Sequence, residues 1–95
     1  MFARVTHYKM KPDAVVPATA LLEQLKPQIM ALRGMIRFVN MMNADGSGCV
    51  VSLVESEEAS NANADKVAQL WAAFGDHLES APSAQGFDVI ADWAG

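Results

Sequence analysis

Cysteine, clustered basic residues and long apolar runs are scarce in this chain of 95 residues. The single cysteine, Cys49, excludes an intrachain disulfide and a cysteine-rich metal site, and its apolar neighbours predict a buried small side chain. The seven lysines and arginines lie singly and the net charge is −4, so a nucleic-acid backbone would be repelled. No segment has the roughly 18–20 unbroken apolar residues that span a bilayer. We therefore expect neither nucleic acid nor a membrane as a partner.

Features of a secretory signal and of a metal site are also missing. The first residues, "MFARVTHYKMKP", lack the hydrophobic stretch and the small-residue cleavage site of a signal peptide, so we expect a cytoplasmic location. The chain has only two histidines, and its carboxylates are scattered, so we expect no metal site.

Apolar residues, in contrast, make up 52% of the chain. A length of 95 residues predicts a single domain over residues 1–95. Such a small core cannot hide so much apolar surface, which favours burial in an oligomer.

The first half of the chain predicts a strand, a helix and a hairpin. Residues 2–10 alternate and stop before Pro12, with His7 on the same strand face as Ala3 and Val5. A helix should follow over residues 13–33, capped by Asp13, kinked at Pro27 and ended by Gly34. Residues 35–43 and 49–55 predict two strands around the turn "NADGSG". The apolar positions of the helix are Ala18, Leu22, Leu25, Ile29 and Leu32.

The second half predicts an interrupted helix and a last strand. Ser56 followed by two glutamates is a helix start, "SNANA" interrupts the helix, and a second stretch runs over residues 64–80. "APSAQG" then breaks the helix. Residues 87–95 alternate almost perfectly, which predicts a strand with one apolar face.

The predicted order is β-α-β-β-α-β, an α+β ferredoxin-like split arrangement in which two helices cover one face of a four-stranded antiparallel sheet. Strands two and three are apolar on both faces, so the face without helices needs a cover. We infer a second sheet from a twofold-related copy, which makes a homodimer with a dimeric α+β barrel.

In the order and spacing of these elements the chain resembles the antibiotic biosynthesis monooxygenase-like family of dimeric α+β barrel proteins over nearly its whole length. The segments that carry the resemblance are "ARVTHYKMKP", "ALRGMIRFVN", "VVSLVESEEA" and "LWAAFGDHL". The resemblance implies a cavity between the sheet and the helices and a cofactor-independent monooxygenase that acts on an aromatic or quinone-type molecule. Some members degrade haem with an Asn/Trp/His set. That set does not map here, because Thr6 or His7 stands where asparagine is expected, so we expect no cofactor.

Candidate site residues come from the second helix and the first strand. Val67, Leu70, Trp71, Phe74 and Leu78 form one apolar stripe, and His77 lies at its border. Core packing is the simple explanation of Trp71 and its stripe, but Trp71 and Phe74 could also line a substrate pocket together with Thr6. An imidazole near neutral pKa could take a proton from a phenolic substrate, so we predict His77 and His7 as catalytic residues. The alternatives are a half-exposed His77 without a role and a structural His7.

Arg4 has two interpretations. Strand four should pair with strand one, which would place Asp88 or Asp92 beside Arg4 in a cross-strand ion pair; the alternative is a polar ligand anchor. The function also stays open between two classes. One is the monooxygenase, and the other is a non-catalytic barrel that binds a small apolar ligand or serves as an interaction module.

Overall fold

The computed structural model describes residues 1–95 and contains one antiparallel sheet of four strands in the order β2-β3-β1-β4. The strands are β1 (Phe2–Lys9), β2 (Met35–Met42), β3 (Ser47–Val54) and β4 (Ser83–Asp88). The helices are α1 (Val15–Met30), α2 (Glu57–Ala62) and α3 (Ala64–Ala73), with single 3-10 turns at Pro12–Ala14 and Gly75–His77. This order confirms the ferredoxin-like α+β arrangement. None of the helices is both long and apolar enough to cross a membrane.

The core lies between the helices and one face of the sheet. On β1 this face carries Phe2, Thr6 and Tyr8, which are buried, whereas the neighbouring His7 is exposed on the other face. The alternation follows from the pleat, since successive side chains of a strand point to opposite faces. The central cluster joins β1, β3, α1 and α3 and consists of Tyr8, Met10, Ala18, Val50 and Phe74.

Helix α1 is shorter than its predicted range of 13–33. Asp13 lies exposed in the preceding 3-10 turn, and the N-cap position is Ala14, which offers no side-chain cap. The helix runs without interruption through Pro27, which is exposed on the flank away from the core. The helix ends at Met30 with Ala31 as its C-cap, so the predicted stop at Gly34 is wrong. Gly34 instead lies in the turn before β2 with φ of 72°, a conformation that glycine adopts without steric cost.

The hairpin is confirmed, with β2 ending one residue early and β3 starting at Ser47 instead of Cys49. Gly46 takes the left-handed conformation at φ of 91°. Asp45 accepts hydrogen bonds from the Ser47 amide at 2.9 Å and from its hydroxyl at 2.6 Å, which closes the turn. These bonds, and then the charge of Lys9, lower the pKa of Asp45.

The interruption between α2 and α3 is centred on Asn63. Ser56 caps α2 through its hydroxyl, which accepts from the Ala59 amide at 3.1 Å, as predicted. Asn63 is buried, and its side chain bonds both backbone groups of Arg33: the oxygen accepts from the amide at 2.9 Å and the amide nitrogen donates to the carbonyl at 2.9 Å. Asn63 therefore ties the break between α2 and α3 to the turn between α1 and β2.

Helix α3 ends at Ala73, so its predicted extension to residue 80 is wrong. The chain turns back to the sheet instead. The amide of Lys11 donates to the His77 carbonyl at 2.8 Å, and the amide of Glu79 donates to the Lys9 carbonyl at 2.8 Å. Pairing with the end of β1 thus replaces the last helical turns.

The predicted position of the last strand is also wrong. Strand β4 occupies residues that the sequence assigns mostly to a loop, and it pairs with β1 from Ser83, opposite His7, to Asp88, opposite Phe2. After Asp88 one more backbone bond follows, from the Val89 amide to the Met1 carbonyl at 3.2 Å, and the pairing then ends. Gly86 fits within the strand since a side chain at this position would meet the Phe2 ring. Residues 89–95 leave the sheet with Ile90 98% and Trp93 91% exposed.

The sheet face away from the helices, here called the open face, is apolar as the sequence indicates. Val39, Met41 and Phe87 lie on it with exposed side chains, next to the half-buried Val5 and Val51. Cys49 is half-exposed on this face, so the predicted burial of its side chain is not seen in a single chain.

Candidate functional site

A cavity of about 80 Å³ lies between the sheet and the helices, and we call it the sheet–helix cavity. Eleven of its fifteen lining residues are hydrophobic, which suits apolar groups. Its volume is below the roughly 300–1,000 Å³ of typical ligand pockets, so an aromatic ligand would also occupy the adjoining clefts. Its apolar walls come from α1, β2 and α3, and they include Leu22, Ile29, Phe38, Trp71 and Phe74.

Wider clefts share wall residues with this cavity, and two of them also share its polar residues. A cleft of about 250 Å³ lies between α1 and β2, shares Phe38 and Asn40 with the cavity, and carries Glu23 and Lys26. A second cleft of about 310 Å³ lies between α3 and β4 and shares Arg4, Thr6 and Trp71 with the cavity. The cavity therefore has approaches from both sides of the helix layer.

Three aromatic rings pack in a line, and two of them, Trp71 and Phe74, belong to the cavity wall. The ring centroids of Tyr8 and Trp71 are 5.6 Å apart at an interplanar angle of 50°, and those of Trp71 and Phe74 are 5.9 Å apart at 55°. These are favourable tilted arrangements. Trp71 is half-buried and Phe74 is buried, so Phe74 anchors the line in the core while part of Trp71 faces the cavity.

The polar groups of the cavity come from the sheet: Arg4, Thr6, Asn40 and Ser52. Arg4 lies opposite Ser52, and Thr6 lies opposite Val50, which in turn pairs with Asn40. These side chains therefore form a polar row across three strands, within an otherwise apolar wall.

Tyr8 and Asn40 are joined by a hydrogen bond at one end of this row. The Tyr8 hydroxyl donates to Asn40 Oδ1 at 2.6 Å and approaches the Met41 carbonyl at 3.2 Å. Burial raises the pKa of Tyr8, and Cys49 adds to the rise, while the bond to Asn40 partly offsets it. Tyr8 is therefore a neutral donor near pH 7, and the amide nitrogen of Asn40 is left without a protein acceptor.

Arg4 does not form the predicted ion pair. It lies opposite Gly86, while Asp88 lies opposite Phe2 and Asp92 lies beyond the end of β4. The nearest polar partner is Ser60, whose hydroxyl accepts from Arg4 Nε at 3.1 Å. The two ion pairs of the chain join other residues, Lys9 with Asp45 and Arg33 with Glu58.

Three of the five predicted site residues line the cavity together: Thr6, Trp71 and Phe74. His7 is exposed on the open face, opposite Cys49, and His77 lies half-buried in the 3-10 turn after α3. Neither histidine lines the cavity or its two clefts. Their catalytic role stays a prediction that this geometry does not support.

The sequence interpretation missed Asn40 and Ser52. Each is a polar residue on a strand face that is otherwise apolar: Asn40 lies between Phe38 and Met42, and Ser52 lies between Val50 and Val54. A polar residue that interrupts the apolar face in each of two adjacent strands could have indicated this site from the sequence. No group of three or more His, Cys, Asp or Glu side chains is placed to hold a metal ion.

Several solved structures share this fold. No protein-family model and no curated protein matches the chain. A protein of unknown function from Nitrosomonas europaea superimposes with a TM-score of 0.82 at 18% identity, covering 99% of this chain and 93% of that one. A "putative antibiotic biosynthesis monooxygenase" from Caulobacter crescentus gives 0.79 at 18% identity, with 95% and 90% covered. A structure named antibiotic biosynthesis monooxygenase gives 0.77 at 12% identity, with 96% and 100% covered. The chain therefore has the fold of the antibiotic biosynthesis monooxygenases, and the resemblance in its sequence is confirmed at the level of the fold.

Proposed function

We propose that the sheet–helix cavity binds an aromatic or quinone-type small molecule and that the chain oxygenates it without a cofactor. The observation that carries the proposal is one small cavity whose lining combines the aromatic rings of Trp71 and Phe74 with the polar side chains of the sheet. Such apolar sites with a few convergent polar groups are typical of small-molecule binding. The activity named for two of the superimposed structures supports the choice of reaction.

The proposed reaction needs a substrate that ionises readily. An activated ring methylene loses a proton, and the resulting carbanion transfers electrons to O2. The methylene becomes a carbonyl with one oxygen atom, and the other oxygen leaves as water with the two hydrogens. Trp71 and Phe74 would hold the ring, while Asn40 and Thr6 would bind its oxygens. No histidine or carboxylate lines the cavity, so the proton passes to solvent.

The second candidate is a non-catalytic barrel that binds an apolar ligand in the same cavity. One observation favours it: no histidine, cysteine or carboxylate side chain lines the sheet–helix cavity to act as a general base. Under this proposal the ligand binds to the same aromatic wall, but O2 is not consumed.

Oxygen uptake with anthrone and with a hydroquinone panel separates the two candidates. The monooxygenase predicts uptake with the unmodified chain and a loss of about tenfold or more for Trp71→Ala. Trp93→Ala is the matched control, since Trp93 is 91% exposed outside the sheet. His77→Ala tests one of the two histidine predictions, and unchanged turnover would remove His77 from the mechanism. Binding without uptake on any substrate would favour the second candidate.

We also propose a cytoplasmic homodimer in which the open faces of two sheets pack together. Support comes from the exposed apolar side chains of this face, among them Val39, Met41 and Phe87, because monomers rarely expose such contiguous patches. Light scattering should give twice the chain mass of 10.2 kDa. Met41→Lys should shift the population to monomer, whereas Val16→Lys on the exposed side of α1 should not. A monomer at micromolar concentration would contradict the proposal.

A further inference from the structure

Arg4 is a cation in the cavity wall without an anionic partner. Its side chain is half-buried and lines both the sheet–helix cavity and the cleft between α3 and β4. A guanidinium has five N–H donors, and only Nε is used within the chain, for the Ser60 hydroxyl at 3.1 Å. Charged side chains taken partly out of water are usually paired, so the free donors of Arg4 need an explanation.

We infer that Arg4 binds an anionic oxygen of the ligand, either a carboxylate or an ionised ring oxygen. This inference rests on the proposed ligand site and deepens it, because it adds charge to the ligand class. The guanidinium offers a planar fork that matches two oxygen acceptors, and Ser60 fixes one edge of that fork. The ligand is thus an aromatic anion, not a neutral hydrocarbon.

The position of Arg4 defines how such a ligand would lie. Arg4 and Thr6 lie on β1 at the junction of the cavity and its α3–β4 cleft, and Trp71 borders both spaces. A ring placed against Trp71 therefore brings a substituent on its β1 side toward Arg4. The whole chain carries a net charge of −4, so the attraction for an anion is local to this arginine.

A carboxylate and its neutral isostere test the inference directly. Binding of 2-naphthoate and 2-naphthamide is measured by calorimetry with the unmodified chain, Arg4→Gln, Arg4→Lys and the control Arg33→Gln. Arg33 is a fair control because its ion pair with Glu58 lies on the surface, with side chains 65% and 84% exposed. Arg4→Gln should weaken naphthoate binding by about tenfold to a hundredfold and change naphthamide binding by less than about twofold. Arg4→Lys should restore part of the loss, since it keeps the charge without the fork.

A third compound, 2-naphthol, distinguishes the two possible sources of the anionic oxygen, a carboxylate and an ionised ring oxygen. A lower pKa of bound naphthol with the unmodified chain, absent with Arg4→Gln, would assign the site to an ionised ring oxygen. Preference for naphthoate without such a shift would assign it to a carboxylate. Both results support the anion site.

Three results would overturn the inference. Equal affinity of the unmodified chain for naphthoate and naphthamide would refute the anion site but leave the cavity proposal intact. Equal weakening of both compounds by Arg4→Gln would make Arg4 a packing residue. Failure of both compounds to bind the unmodified chain would refute the ligand site itself. If Arg4→Gln does not fold, salt decides the question with the unmodified chain: added salt should weaken naphthoate binding and not naphthamide binding.

Discussion

Replacing Asn63 by alanine should cost the fold a large part of its stability, although Asn63 does not line the sheet–helix cavity or the two clefts described. The side chain makes two hydrogen bonds, both 2.9 Å long, to the amide and carbonyl of Arg33, and the residue is only 4% exposed. Each bond is worth about 1 kcal/mol net, and leaving the two backbone groups of Arg33 unpaired adds a desolvation cost. We expect a total loss of about 2–4 kcal/mol in the free energy of unfolding.

Urea unfolding of Asn63→Ala measures this loss, and the slope of the transition should stay unchanged. Asn61→Ala is the matched control, because Asn61 is exposed on α2 and makes no side-chain hydrogen bond. Asn63→Asp should also destabilise, since the aspartate oxygen cannot donate to the Arg33 carbonyl. A loss below about 0.5 kcal/mol, or one equal to that of Asn61→Ala, would show that the link through Asn63 does not hold the two turns together.

Three further predictions concern the hairpin and its surroundings. Gly48→Ala should lower stability by about 1–3 kcal/mol, because a methyl there would overlap the Tyr8 ring, whereas Gly75→Ala, with open space around it, should not; urea unfolding compares the two variants. The lowered pKa of Asp45 contributes stability that is present above the usual value of 3.8 and is lost as the pH falls through the lower folded value. Asp45→Asn should therefore make the acid side of the stability–pH curve flatter, and an unchanged curve would contradict this. The raised pKa of Tyr8 contributes stability that is present below 10.0 and is lost as the pH rises through the higher folded value, so Tyr8→Phe should flatten the alkaline side in the same titration.

The sequence predicts the elements of this fold better than their ends. The apolar positions of α1 and the cap at Ser56 are local features, and the structure confirms them. The end of α3 and the start of β4 depend on pairing with β1, which is distant in the chain. Residues 87–95 alternate like a strand, yet most of them lie beyond the last partner that β1 can offer.

The residues of the candidate site also divide into those that local patterns predict and those that depend on distant parts of the chain. Helical spacing brings Trp71 and Phe74 to one face, and the pleat of β1 adds Thr6. The same pleat places His7 on the face opposite to Thr6, which separates the two predicted site residues. The position of His77 relative to the cavity could not be decided, because a border position on a helix depends on where the helix ends. The isolation of Arg4 could not be predicted either, since it follows from a register that places Gly86 and not an aspartate beside it.

The two tryptophans lie in opposite environments, which gives the protein two separate fluorescent reporters. Trp71 is held between Tyr8 and Phe74, while Trp93 is 91% exposed beyond the last strand. A variant that keeps only Trp71 should therefore change its emission when a ligand enters the cavity, and one that keeps only Trp93 should not. Comparing the two variants thus distinguishes entry of a ligand from binding elsewhere on the protein.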